Sequence, residues 1–197
     1  RDAKRAFEKA EKAISQKKLE QAEKELNKAV SKYPQFATAW CLLGDLHQQK
    51  NNLEQAAQEY EKALAADPQY VNPVYGLAII AVQEKKWEEA VRLTAQVAGM
   101  NAYAFPAAYF YNAAANYNAG RIDAAAESAN KFKSIDTGHR HPEVSLLLSQ
   151  IMLRRQDYGG AAREIREYLA IVPKAPNAAE LARQANSYEQ LSMAKKR

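Results

Sequence analysis

The chain has 197 residues, 47% of them hydrophobic and 26% charged, and its formal net charge is +5. This mixture excludes a disordered or fibrous protein. Ala, Glu, Lys, Gln and Leu are abundant beside only 7 Gly and 7 Pro, which favours an all-α fold because these residues cost little in helices. The single cysteine, Cys41, excludes an internal disulfide and a thiolate cluster for a metal.

Basic side chains are concentrated at the two ends of the chain. Residues 1–36 carry 10 basic and 6 acidic side chains, and residues 174–197 carry 5 and 2. Near the start, Lys and Glu alternate, whereas a nucleic-acid interface gathers basic residues on one face with aromatic residues between them. We therefore expect a solvated helix surface and no nucleic-acid partner. A basic patch assembled from several helices, which would bind RNA or a membrane surface, is the alternative.

No membrane span is expected, because the longest apolar stretch, residues 77–82, is far shorter than the roughly 20 residues that cross a bilayer. The sequence begins with Arg1 rather than Met. We therefore expect an upstream segment, such as a signal peptide or another domain, to lie outside it.

A repeat of 34 to 36 residues runs through the chain. One column of the repeat holds only alanine, and another holds only small residues, which two closely crossing helices require. This pattern predicts five helix hairpins, over residues 3–36, 37–70, 71–105, 106–141 and 142–174. The alanine column is Ala22, Ala56, Ala90, Ala125 and Ala161, and the small column is Ala10, Gly44, Ala78, Ala113 and Ser149.

The second hairpin carries the most specific pattern of large, small and proline positions. It resembles a tetratricopeptide repeat (TPR), with a His and a Tyr standing where that pattern has Tyr and Phe. The residues that carry the resemblance are Trp40, Leu43, Gly44, His47, Ala56, Tyr60, Ala63 and Pro68.

The fourth hairpin departs from this pattern. Asn112 and Asn116 stand in the columns where the second hairpin has Leu43 and His47. A buried amide without a partner costs about 1–3 kcal/mol. These two side chains are therefore predicted either to be satisfied by neighbouring groups or to face a ligand.

A further helix is predicted after Pro173. Asn177 and Glu180 form a plausible N-cap pair, and apolar residues recur at helical spacing to about Met193. We expect residues 175–197 to form a capping helix and a basic tail, with the apolar stripe of the helix covering the last hairpin.

The TPR resemblance implies a right-handed α-solenoid whose first helices line a concave groove, and in that family the groove holds a peptide or a helix. Aromatic residues at the centre would give contact area at low entropy cost, and flanking amides would bond a peptide backbone. The alternative is that these rings pack between helices. The predicted peptide-binding residues are Tyr75, Ile79, Gln83, Phe110, Tyr111, Tyr117 and Asn118.

Some members of that family bind acidic C-terminal tails through a clamp of Lys, Arg and Asn. In this chain the corresponding positions hold no basic residue, which disfavours that ligand. They are occupied by Phe7, Glu11, Cys41, Asp45, Tyr75 and Ile79.

Catalytic and metal-binding patterns are missing from the sequence. His139 and His141 flank Arg140 in a joint, where metal binding would need further ligands, and His47 is predicted to be a packed core residue. Cys41 has no base nearby in the sequence, and the glycines form no nucleotide-binding loop. We expect no enzyme activity, no cofactor and no metal site.

These observations predict a non-catalytic protein-interaction module that binds a peptide or protein segment. The alternative is a structural spacer or self-association arm of a larger protein, which would form a homodimer. Closely similar repeat strings resemble the tails of exported bacterial proteins. That resemblance favours a bacterial, extracytoplasmic protein, although the residues are compatible with cytoplasm or periplasm.

Overall fold

The computed structural model describes residues 1–101 and 103–195, and these residues form eleven α-helices and no strand. The all-α prediction is therefore confirmed. In chain order the helices are α1 (Asp2–Ser15), α2 (Leu19–Lys32), α3 (Ala37–Gln49), α4 (Leu53–Ala66), α5 (Val71–Gln83), α6 (Trp87–Asn101), α7 (Ala107–Asn118), α8 (Ile122–Ile135), α9 (Glu143–Arg154), α10 (Tyr158–Ile171) and α11 (Ala178–Lys195).

The helices pair in succession and stack into a solenoid. Each odd-numbered helix from α1 to α9 packs against the even-numbered helix that follows it, and each even-numbered helix packs against the next odd-numbered one. In addition, α3 contacts α5, α5 contacts α7 and α7 contacts α9. These first helices therefore form a continuous inner wall, while the second helices lie on the other side of the stack.

The two helices of each hairpin are joined by a three-residue turn of one geometry. The middle residue of every turn has a positive φ: Lys17, Asn51, Lys85, Gly120 and Gln156. In the first turn the backbone N–H of Lys18 donates to Ala13 O and that of Lys17 to Ile14 O, and the other turns repeat this pair of bonds. This is a Schellman motif, which satisfies the carbonyls at the end of the first helix.

The predicted small column lies at the helix crossings and is buried in all five repeats. The reason is clearest around Tyr60 of α4, whose ring is buried between two helix backbones. A Cβ atom added at Gly44 of α3 would lie 2.6 Å from this ring, and one added at Gly76 of α5 would lie 2.4 Å from it. Glycine at both positions is what admits the large ring between neighbouring repeats.

His47 is buried between two repeats and is hydrogen-bonded, as predicted for a packed core residue. Its Nδ1 lies 2.6 Å from Oε2 of the buried Glu59, and its Nε2 lies 3.3 Å from Oε1 of Glu23. Lys50 Nζ pairs with the other oxygen of Glu23 at 2.5 Å. Burial raises the pKa of Glu59, and the hydrogen bond from His47 opposes this effect.

Asn112 and Asn116 are also buried, and both are satisfied by neighbouring groups rather than by a ligand. Asn112 Nδ2 donates to Thr94 Oγ1 of α6 at 2.8 Å. Its Oδ1 accepts hydrogen bonds from Ser128 Oγ of α8 at 2.7 Å and from Asn116 Nδ2 at 2.8 Å. The amides therefore connect three helices and do not form part of the inner surface.

The last helix, α11, packs closely on α10. A Cβ atom at Gly159 of α10 would lie 2.9 Å from Ser192 Oγ of α11, so this glycine permits the close approach. The buried residues of α11, Leu181 and Ala185, form an apolar cluster with Ala162 and Ile165 of α10. Residues 196 and 197 of the predicted basic tail lie outside the described residues. In the part of the chain that is described, no helix is both long and apolar enough to cross a membrane.

Candidate functional site

Three of the predicted groove residues meet at the centre of the inner wall. The ring of Tyr75 on α5 lies 6.3 Å, centroid to centroid, from that of Tyr111 on α7, and Tyr111 lies 5.7 Å from Phe110. Phe105, in the joint before α7, lies 5.1 Å from Tyr75. We call Tyr75, Phe105, Phe110 and Tyr111 the aromatic cluster. Distances of this size are typical of favourable tilted and edge-to-face ring pairs.

Each ring of the aromatic cluster is half-buried, so it packs between helices on one side and is accessible on the other. One side of Tyr75 and Phe105 packs against the core formed by α5, α6 and α7, and Phe110 packs against the buried Phe132 of α8. The remaining ring surface is accessible. Burial, together with the neighbouring Tyr111 phenol, raises the pKa of Tyr75 to about 12. The Tyr75 hydroxyl is therefore neutral at physiological pH.

The other predicted residues surround the cluster to different extents. Ile79 is half-buried one turn after Tyr75, and Gln83 is exposed at the end of α5. Tyr117 packs with the apolar cluster of α7, α8 and α9, to which Phe110 also belongs. Asn118 is exposed, and its Nδ2 donates to Ala114 O of its own helix at 2.8 Å, which engages one of its two amide protons.

A column of aromatic residues in the joints between hairpins was missed by the sequence interpretation. Each member precedes a first helix, and two of them pack on the inner wall: Phe36 lies 4.7 Å from Phe7, and Phe105 lies against Tyr75 as described. The column recurs at intervals of 34, 35 and 36 residues, as the alanine column does, so the signal was present. Its members are Phe36, Tyr70, Phe105 and His141.

The inner wall at α1 and α3 differs from the aromatic cluster in its residues. Cys41 is buried, and burial, with the charge of Asp45 adding to it, raises the pKa of its thiol to about 12. Asp45 accepts a hydrogen bond from the Tyr60 hydroxyl at 2.8 Å. At the first hairpin, Phe7, Tyr33 and Phe36 form the floor of an open cavity of about 740 Å³ with a charged rim. This end therefore carries charged residues, whereas the predicted groove residues of α5 and α7 are all uncharged.

The two histidines of the α8–α9 joint do not form a metal site in the described residues. His139 is exposed, and His141 Nδ1 lies 3.1 Å from Glu143 Oε1 while its ring packs 5.7 Å from that of Phe132. No group of three or more potential metal-ligating side chains occurs in residues 1–101 and 103–195.

With this geometry in view, comparison with known families assigns the class of protein. Two tetratricopeptide repeat family models match the sequence, over residues 7–71 and 49–102, and the helix-hairpin arrangement continues beyond them to α10. Residues 7–102 of the chain belong to the tetratricopeptide repeat family. Proteins of this family are protein-interaction modules and are typically non-catalytic.

Solved structures of similar fold share little sequence with this chain. YrrB, described as a TPR protein with an unusual peptide-binding site, is 21% identical, with a TM-score of 0.79 over 92% of this chain and 90% of its own. MamA from Desulfovibrio magneticus RS-1 is 15% identical, with a TM-score of 0.79 over 89% and 97%. The Cut9–Hcn1 structure is 17% identical, with a TM-score of 0.65 over 93% and 43%. No curated protein matches the sequence.

Proposed function

We propose that this chain is a non-catalytic interaction module that binds an extended peptide or protein segment along its inner wall, centred on the aromatic cluster. The observation that carries the proposal is the contact between half-exposed rings of two neighbouring first helices, Tyr75 on α5 and Tyr111 on α7. Rings at this position present a large apolar surface that is already ordered before binding.

The surroundings of the cluster suit a main chain as well as side chains. Aromatic residues dominate the binding energy of protein interfaces because they bury a large area at a low cost in side-chain entropy. Gln83 and Asn118 offer amide groups, which donate and accept hydrogen bonds and so match the alternating donors and acceptors of an extended peptide. The peptide-binding site named for YrrB supports the use of this fold for peptide capture.

The test starts from peptides selected from a displayed random library on the immobilised protein. Their affinity is measured by calorimetry for the wild-type protein, for Tyr111→Ala and for the matched control Tyr158→Ala, which removes a half-buried tyrosine from the start of the second helix α10. We expect Tyr111→Ala to weaken binding at least tenfold, since a central aromatic residue contributes about 2 kcal/mol or more. Equal affinity of a folded Tyr111→Ala protein would reject the site.

Self-association is a second candidate function because α11 exposes two large apolar side chains, with Leu191 46% and Met193 68% accessible. An arm that pairs two copies would cover them. Sedimentation over a range of concentrations separates the alternatives. We expect a monomer that binds peptide, whereas a dimer in which Leu191 and Met193 are protected would favour the arm.

A further inference from the structure

The inner wall contains a second cavity, at the opposite end from the charged one. It has a volume of about 350 Å³ and lies where α9, α10 and α11 meet. The buried side chains of Ile165 and Leu181 line it together with Leu146, Leu153 and Tyr188, and the amides of Gln150 and Gln184 border it. None of the predicted groove residues lines this cavity.

The cavity results from the way α11 is seated. In the repeats, α5, α7 and α9 pack both on the preceding second helix and on the preceding first helix, whereas α11 packs mainly on α10. Gly159 permits the close approach of α11 to α10. A gap therefore stays open between α9 and α11, on the inner side of the solenoid.

The lining of this cavity is uncharged, which restricts what it can bind. All nine described residues around it are neutral, although 26% of the chain is charged. By contrast, six of the ten residues around the cavity at the first hairpin are charged. A charged ligand group that entered the neutral cavity would lose its hydration without gaining a counter-ion, and this is costly.

The volume and the amides indicate the shape of the ligand. At about 350 Å³ the cavity has room for a large side chain, and it is open to solvent, so the main chain of a ligand would lie at its mouth. Gln184 Nε2 donates to Glu180 Oε1 at 3.2 Å, which leaves its amide oxygen as an acceptor, and Gln150 is exposed on α9. Two amides on facing walls are suited to the main chain of an extended peptide.

We propose that this cavity is a subsite for an uncharged, extended peptide segment that inserts one large apolar side chain between α9 and α11. The inference rests on the proposed function, because the cavity and the aromatic cluster belong to one inner wall and would be contacted by one ligand. It adds a specificity to that function: the ligand is neutral where it reaches the end of the solenoid.

Methyl NMR of the full chain tests the subsite with defined probes. The probes are the blocked peptides acetyl-Ala-Leu-Ala-Ala-amide and its Lys and Glu counterparts at the second position. Ile165 reports on the cavity, and Ile79 reports on the aromatic cluster. We expect the leucine peptide to shift the Ile165 methyl signal saturably, with a dissociation constant of about 1 mM for so small a ligand. The charged peptides should bind at least tenfold more weakly.

Two variants provide a matched pair. Leu153→Trp fills the cavity with an indole ring and should abolish the Ile165 shift, whereas Arg154→Trp places the same ring at an exposed neighbouring position outside the cavity lining and should leave the shift unchanged. If Leu153→Trp fails to fold, the discrimination between the three peptides on the wild-type protein still decides.

Several outcomes overturn the proposal. They are an unmoved Ile165 signal, equal binding of the charged peptides, or an Ile165 signal that shifts with protein concentration alone, which would show a second copy in the cavity. A shift at Ile79 without one at Ile165 overturns the subsite but leaves the groove intact. A shift at Ile165 alone supports the subsite, and the aromatic cluster is tested separately by Tyr111→Ala.

Discussion

Repeats two and four bury polar groups at equivalent positions, but they satisfy them with different chemistry. In repeat two, His47 bonds to Glu59 on the second helix of the same hairpin. In repeat four, Asn116 occupies the column of His47 and Ser128 that of Glu59, and both bond to Asn112. One interface is held by ionisable groups and the other by neutral ones. The two repeats therefore have a polar contact at the same place, but only one of these contacts involves ionisable groups.

The same two repeats also divide volume differently. Repeat two places the large Tyr60 on its second helix and meets it with Gly76 from the next repeat. Repeat four has Ala129 in the column of Tyr60. Leu147 of the next repeat, which occupies the column of Gly76, packs in the same apolar cluster as Ala129. Large and small residues have exchanged sides of the interface. Close packing requires that the two facing side chains together fill the interface, whichever of the two is the large one.

The largest effect is expected from His47→Leu, which leaves the buried Glu59 carboxylate without its closest partner. We expect a loss of about 3–5 kcal/mol of unfolding free energy at pH 8. Burial raises the folded-state pKa of Glu59, so its ionisation costs stability, and this cost appears as the pH rises from its unfolded pKa through its folded pKa. The loss should therefore be smaller at pH 4. Urea unfolding at the two pH values measures it.

The control for this prediction is the double variant His47→Leu/Glu59→Leu, which replaces both polar partners with apolar residues. It should recover stability to within about 1 kcal/mol of the wild-type protein, because replacing both hydrogen-bond partners with apolar groups leaves neither of them buried and unsatisfied. A double variant as unstable as His47→Leu would show that the pair is not the source of the effect.

Gly76→Ala tests the division of volume. The new methyl group would lie 2.4 Å from the buried ring of Tyr60. We expect a destabilisation of about 1–3 kcal/mol from overpacking, measured by thermal and urea unfolding. Gly99→Ala is the matched control, since no atom lies within 4 Å of a Cβ there, and it should stabilise α6 by up to about 1 kcal/mol. Equal stabilisation by both substitutions would contradict the packing argument.

Asn112→Leu probes the neutral network of repeat four. It leaves Asn116 and Ser128 without their shared acceptor, and we expect a cost of about 1–2 kcal/mol. No ionisable group takes part in these bonds, so the cost should be the same at pH 4 and pH 8. A pH-dependent cost as large as that of His47→Leu would remove the distinction between the two repeats.

The smallest effect is expected in the turns. Lys85 adopts a φ of 59°, where repeat four has Gly120 at a φ of 78°. Lys85→Gly should stabilise the protein by about 0.5–1 kcal/mol, because the left-handed conformation strains a residue with a Cβ atom. Lys85→Ala, which removes the same side chain but keeps a Cβ atom, is the control and should give no such gain. Differential scanning calorimetry distinguishes the two.

Much of the fold follows from the order of the amino acids. The alanine and small columns at intervals of 34 to 36 residues specify a stack of helix hairpins, because only a small side chain permits close helix crossing and the crossing recurs once per repeat. For the same reason, residues that are one repeat apart in the same column, such as Tyr75 and Phe110, are expected on the same wall. The contact between Tyr75 and Tyr111 follows from that register.

Three-dimensional packing decided the rest. The sequence shows that Asn112 is polar but not that Thr94 and Ser128 approach it from two other helices. It shows an N-cap pair near Asn177 but not that α11 seats on α10 and leaves a neutral cavity beside α9. Periodicity constrains which side of a helix faces its neighbours, whereas partners, ring orientation and gaps depend on the angles between helices, which no single segment encodes.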